Sequence, residues 1–153
     1  YNALINQQLY MACEQLSDEE RKADKKIFFS SIHGTLNHLL YGDIAWLSRF
    51  LGKENEISEL GKELYSDYYE LWKARKAWDA KISERSASVE DAWLARDFTF
   101  ISKVDNSKRT RHAWLLVSHM FNHGTHHRGQ ITAILSQHGI DYGVTDIPFL
   151  SAE

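Results

Sequence analysis

The chain has 153 residues, 43% hydrophobic and 12% aromatic, which is enough apolar material for one domain, residues 1–153, with a substantial core. Its formal net charge of -3 offers no broad basic field, so electrostatic binding of nucleic acid is disfavoured. The short clusters Lys25-Lys26 and Lys108-Arg109-Thr110-Arg111 read as solvated surface. The lone cysteine, Cys13, excludes an intrachain disulfide framework and points to a reducing, cytoplasmic compartment.

The uncharged run from Ile27 to Gly42 is too short and too polar to span a bilayer, and no signal-peptide pattern is evident. A single proline and eight glycines leave long uninterrupted stretches, and these carry helical periodicity, so an all-α protein is expected. The first helix is predicted over residues 1–16, with Leu4, Ile5, Leu9, Ala12, Cys13 and Leu16 as its apolar stripe. Cys13 falls within that stripe and reads as a small buried side chain with no catalytic role. Because the chain begins at Tyr1, without methionine and inside a predicted helix, the natural protein is expected to start upstream.

Ser17-Asp18-Glu19-Glu20 matches a capping box opening a short helix. A long helix is predicted from about Ser30 to Leu51, burying Ile32, Leu36, Leu39, Leu40, Ile44, Leu47 and Phe50, with Gly52 as its cap. After a polar connection, Lys53 to Gly61, a third helix is expected from about Leu64 to Glu84. Its Tyr65, Tyr68, Tyr69, Trp72 and Trp78 form an aromatic stripe suited to a core. Between residues 86 and 111, Ser88-Val89-Glu90-Asp91 has the makings of a helix start, and Phe98-Thr99-Phe100-Ile101 alternates like a strand. The last helix is predicted from about His112 to His138, stopped by Gly139 with Ile140 in a Schellman cap. Four principal helices suggest a four-helix bundle.

Six of the eight histidines lie between residues 112 and 138. His119, His123 and His127 follow one another at intervals of four, which places successive imidazoles on one helix face. The outer two are separated by about 12 Å of helix, so one ion takes either the 119/123 pair or the 123/127 pair. A third ligand must come from elsewhere. His38, between Leu36 and Leu39 on the apolar side of the second long helix, is the strongest candidate, and His33 competes. Gly34 and Gly42 flank His38 at four residues on either side, which leaves room for a pocket or lets two helices approach. His112 and His126 point elsewhere on the last helix.

The residues absent narrow the chemistry. Where a zincin places its glutamate base directly after the first histidine, this chain has Gly124, so hydrolysis of that type lacks its base. No glutamate is followed three residues later by a histidine, which removes a ferritin-like di-iron site. Asp43, the carboxylate that a two-histidine iron triad would recruit, faces away from His38 on an ideal helix. What is left is a mononuclear site with nitrogen ligands.

Gly34-Thr35-Leu36-Asn37-His38-Leu39-Leu40 with Asp43 and Trp46, His123-x-x-x-His127-Arg128-Gly129-Gln130, and the tail from Gly139-Ile140-Asp141-Tyr142-Gly143 to Asp146-Ile147-Pro148-Phe149 together resemble the DinB-like (DNA-damage-inducible, YfiT-type) family. The resemblance covers nearly the whole chain. It implies an up-down-down-up four-helix bundle, often homodimeric, with His38, His123 and His127 as the metal ligands and His119 and His126 outside the set. It does not imply DNA binding. Members with assigned chemistry transfer low-molecular-weight thiols to electrophiles or isomerise maleylpyruvate with a thiol cofactor.

The expectation is therefore a thiol-dependent transferase or isomerase. In it a divalent metal, zinc or nickel before iron or manganese, supports attack by a thiolate on a small electrophilic substrate. Arg128 and Gln130 stand near enough in sequence to support the ligands. The alternatives are a non-catalytic metal- or ligand-binding bundle, and a metal-dependent hydrolase in which His119 or His126 shuttles protons.

Overall fold

A computed structural model describes residues 1–53, 63–102 and 105–150. These residues are mostly helical: α1 (Asn2–Glu14), α2 (Asp18–Lys22), α3 (Ile32–Phe50), α4 (Tyr68–Ala87), α5 (Asp91–Ala95) and α6 (Ala113–Gln137). A two-stranded antiparallel sheet, β1 (Asp97–Ile101) and β2 (Lys108–His112), stands between α5 and α6 and corrects the all-α expectation. The alternating segment around Phe98 is indeed a strand, paired from Asp97 opposite His112 to Ile101 opposite Lys108. Its partner is the basic cluster that read as mere surface. β2 is exposed along its whole length, so no apolar alternation marks it.

Local chemistry accounts for the helix boundaries. At the start of α2, Ser17 Oγ accepts from the Glu20 amide at 3.2 Å, and Glu20 Oε2 accepts from the Ser17 amide at 2.7 Å, a complete capping box. Ser31 caps α3 by accepting from the Gly34 amide at 3.0 Å. Both long helices that end in glycine close as Schellman motifs. Gly52 and Gly139 take φ of 67° and 70°, and the amides of Lys53 and Ile140 reach back to the carbonyls of Ser48 and Leu135. Helix α4 begins at Tyr68, later than the predicted Leu64, because the Leu64 and Tyr65 amides donate to Asn37 Oδ1 at 2.8 and 3.0 Å. Asp67 then becomes the cap. Most of the predicted polar connection lies outside the described residues.

Helix α1 packs on α4 and α6, and α3 packs on the same two helices. Only Gly34, Trp46 and Arg49 of α3's 19 residues escape full burial. One apolar cluster joins Leu9, Cys13, Leu36, Leu40, Tyr68, Leu71, Ile131 and Leu135, and a second joins Leu47, Phe50, Ile82, Leu116 and Met120. Each such side chain contributes about 1.5–3 kcal/mol on burial. Of the two aromatic and apolar stripes predicted, Leu4, Tyr65 and Tyr69 lie outside the core, whereas Tyr68 and Trp72 pack on Tyr10 within it. Burial also pushes the Cys13 thiol up to about 12, which keeps it protonated.

Between the helices lies a buried polar network. Arg75, 2% exposed, donates through Nη1 to Asp43 Oδ2 at 2.8 Å, and its Nη2 lies 2.9 Å from Asp79 Oδ1. Asn6 Nδ2 donates to Asp79 at 3.0 Å, and Arg128 Nη1 donates to Asn6 Oδ1 at 3.1 Å and Asn2 Oδ1 at 2.5 Å. The network ties α1, α3, α4 and α6 together. Burial raises the pKa of both carboxyls and Arg75 opposes that rise, so the guanidinium is what permits them to be ionised there. Arg75→Met is expected to cost about 3–5 kcal/mol in urea unfolding, because it strands two buried carboxylates. A loss below about 1 kcal/mol would show that they do not depend on Arg75.

Candidate metal centre

His38 occupies the middle of α3, and its ring is stacked by Phe29 at 3.7 Å between centroids and 19° between planes. Phe29 reaches it from the loop before α3, where Lys26 and Ser30 take φ of 58° and 63°. That loop runs so close to the helix that a Cβ at Gly34 would sit 2.3 Å from the Phe29 carbonyl oxygen. Gly34 therefore admits the loop, and the loop seats His38. Gly42 does a different task, since a Cβ there would meet His123 Cε1 at 3.2 Å. Neither glycine serves mainly to bring two helix backbones together.

The three imidazoles converge through Nε2. His123 Nε2 lies 3.0 Å from His38 Nε2 and 3.2 Å from His127 Nε2, and the three ligand atoms fall within 4.8 Å of one another. For metal–nitrogen bonds of about 2.0–2.1 Å, two ligands at a right angle would be about 2.9 Å apart and two at the tetrahedral angle about 3.3 Å. The two separations from His123 lie between these limits, so the three donors are close enough to share one ion. His127 Nδ1 lies 2.9 Å from Gln130 Oε1, which accepts from it and leaves the Nε2 lone pair turned toward the other rings. His38 has no such hydrogen bond: its Nδ1 is buried without a partner, and the Phe29 stack sets the ring.

All three rings are held neutral. Burial, and then the nearness of His123 and His127, brings His38 down to about 3. Burial and then His127, His119 and His126 bring His123 down to about 4. Burial also lowers His127, opposed by its bond to Gln130. Neutral imidazoles are the form that binds metal.

The other candidates are placed clearly. His33 Nε2 donates to the Tyr65 carbonyl at 2.8 Å and lies 3.2 Å from Glu63, so it faces away from the cluster. Asp43 belongs to the Arg75 network. His112 Nδ1 pairs with Asp97 at 3.0 Å beside the sheet. His119 and His126 are exposed and stand 5.8 and 4.9 Å, ring to ring, from His123 and His127 respectively. Arg128, three residues before Ile131 of the core, is neither exposed nor near the rings: it is buried with Asn2, Asn6 and Thr125. Phe29 was not foreseen, because nothing in a loop sequence announces a stack on a distant histidine.

The cluster opens into a cavity of about 520 Å³, walled by Phe28, Tyr41, Trp46, Arg49, Phe100 and His119 among others. A family model for the DinB family matches residues 1–152. The chain belongs to the DinB family. "Protein DinB" of Bacillus subtilis (strain 168) is 29% identical over 150 residues, which are 95% of this chain and 87% of that protein. A crystal structure of a DinB-like protein from Bacillus cereus ATCC 10987 shares the fold, with a TM-score of 0.69 at 14% identity over 93% of this chain and 91% of that one. Within this DinB chain, then, the two motifs noted in the sequence lie on α3 and α6 and face each other across the cluster.

The depressed histidines make metal-free stability depend on pH. The unfolded chain takes up these protons near about 6.5, whereas the folded one resists until about 4 and about 3, so it binds fewer protons in between. Their contribution is complete above about pH 6.5 and is lost as the pH falls. Urea unfolding of chelator-treated protein is expected to show declining stability from about pH 7 to about pH 4.5, with a shallower decline in a His38→Gln/His123→Gln double variant. Equal slopes in the two proteins would refute the assignment.

Proposed function

We propose that this DinB family member binds one divalent metal through His38, His123 and His127 and uses it to transfer a low-molecular-weight thiol to, or isomerise, a small electrophile. The convergence of three neutral Nε2 atoms on one point beside a cavity carries this reading. What such an ion supplies is a thiol or water deprotonated near neutral pH. The chain's own residues do the rest. Gln130 fixes the His127 tautomer, Phe29 covers the His38 face, and the aromatic walls keep bulk water from an incoming substrate. Among the described residues no carboxylate joins the cluster as a base, which supports a nucleophile brought from outside the protein.

Zinc or nickel suits this nitrogen set best, with iron and manganese next. The reading also takes the chain as one domain, an up-down-down-up four-helix bundle made by α1, α3, α4 and α6, working as a cytoplasmic homodimer on small molecules and not on nucleic acid or a membrane. Among the described residues no helix is long and apolar enough to cross a membrane. Hydrolysis is a second reading, favoured by His119 and His126, which line the same cavity and can relay a proton.

Elemental analysis of untagged protein purified without chelator is expected to find about one metal per chain, and His123→Ala to remove it. Unchanged metal content in that variant would sink the site. Gln130→Leu is expected to keep the stoichiometry and weaken metal affinity about 10–100-fold in a chelator competition, since it frees the His127 ring. Metal-loaded protein should accelerate addition of low-molecular-weight thiols to a model electrophile. Full metal occupancy with no acceleration across several thiols would leave a binding protein, and turnover of an activated ester without thiol would favour the hydrolase.

A further inference from the structure

Among the described residues, the cavity holds one cation, Arg49, that no carboxylate neutralises. Arg49 lies on the His38 face of α3, about 16 Å of helix beyond it, and the stripe from His38 through Gly42 and Ala45 to Arg49 forms one wall. Its side chain is half-buried, with the guanidinium 5.0 Å over the Trp46 ring. No carboxylate pairs with it among the described residues. Tyr41 lines the same wall; its ring is stacked on His38 at 6.5 Å, and its buried hydroxyl has no hydrogen-bond partner. The two groups are within electrostatic reach of each other. A buried hydroxyl without a partner and a partly desolvated guanidinium without an anion are both costly, and both line the same cavity.

We propose that Arg49 and Tyr41 form a receptor for a carboxylate carried by the substrate, which holds it with the reacting end toward the three histidines. The guanidinium donates a forked pair of hydrogen bonds to the carboxylate and Tyr41 adds a third. Trp46 and Phe100 beside them accept an apolar or aromatic body between the two ends. A phosphate fits less well, because the described lining residues include no lysine and no second arginine to meet its larger charge. The substrate class is thus a small aryl- or alkyl-carboxylate with its electrophilic atom several bonds from the carboxyl group. Binding energy gathered at Arg49 positions that atom.

This rests on the metal-centre reading for what happens at the histidine end, and calorimetry separates the two ideas. Metal-loaded protein is titrated with 4-phenylbutyrate, with its neutral amide and with inorganic phosphate. The carboxylate is expected to bind about tenfold or more tightly than the amide. Arg49→Met should abolish that preference, Arg49→Lys should restore part of it, and Tyr41→Phe should weaken the carboxylate several-fold while leaving the amide unchanged. A wild-type protein without carboxylate preference, a preference that survives in both Arg49 variants, or phosphate binding at least as tightly as the carboxylate would overturn the receptor. His123→Ala is expected to lose metal and keep the Arg49-dependent preference, and a wild type that takes up no metal when loaded yet shows the same preference would remove the metal reading alone.

Discussion

A buried helix that carries polar side chains must find partners for them, and α3 is buried on nearly all sides while carrying His33, Asn37, His38 and Asp43. Each unmet group would cost about 1–3 kcal/mol, more for the charged one, so the neighbouring elements are constrained to arrive where those groups point. Asn37 binds the backbone at Leu64 and Tyr65, and His33 binds the Tyr65 carbonyl, which fixes how the chain enters α4. Asp43 takes Arg75 from that same helix. His38 takes the two histidines of α6. The candidate metal centre is thus one of several solutions to a single problem, set by the burial of one helix.

Elements governed by local rules were readable before the structure. Capping boxes, C-terminal glycines and apolar periods are signals within a few residues of the feature they cause, so α1, α3 and α6, and the start of α2, emerge within two residues of expectation. Strand β2 was not readable, since its side chains are solvated on both faces and pairing alone makes it a strand. The late start of α4 was hidden for a similar reason, because the deciding hydrogen bonds come from Asn37, far away in sequence. At the site, the i, i+4 spacing pointed to the His123/His127 pair but left the register open. The family resemblance implied His127 over His119, and the packing of α3 on α6 supplies the physical reason. Arg128 was the plainest misreading: its place beside His127 suggested support for the ligands, whereas its partners on α1 hold it in the buried network.

Three glycines illustrate how absent side chains direct chemistry. Gly34 admits a loop, Gly42 admits an imidazole, and Gly124 admits the Arg128 guanidinium, whose Nη1 would lie 3.1 Å from a Cβ at that position. The last case bears on the reaction. A glutamate after His123, as a zincin has, would displace the arginine that satisfies Asn2 and Asn6, so the buried network and a protein-supplied base compete for the same space. This chain has taken the network.

That choice has an electrostatic consequence. Three neutral imidazoles bring no negative charge, so a divalent ion held there would keep its full charge, whereas a site with a carboxylate would cancel part of it. The buried carboxylates of the fold, Asp43 and Asp79, are already committed to Arg75 and do not line the cavity. Arg49 adds a further positive charge on the cavity wall. With such an ion bound, the field set by the described lining residues would be one-signed, in a chain whose net charge is negative, and low-dielectric aromatic walls would strengthen it. On the proposed reading such a cavity would select anions twice: a bound ion would favour the deprotonated form of a nucleophile at the histidines, and Arg49 would draw in a substrate carboxylate. On that reading cationic electrophiles would be disfavoured on the same grounds, and the lack of an acidic side chain among the described lining residues would be a source of selectivity rather than a gap.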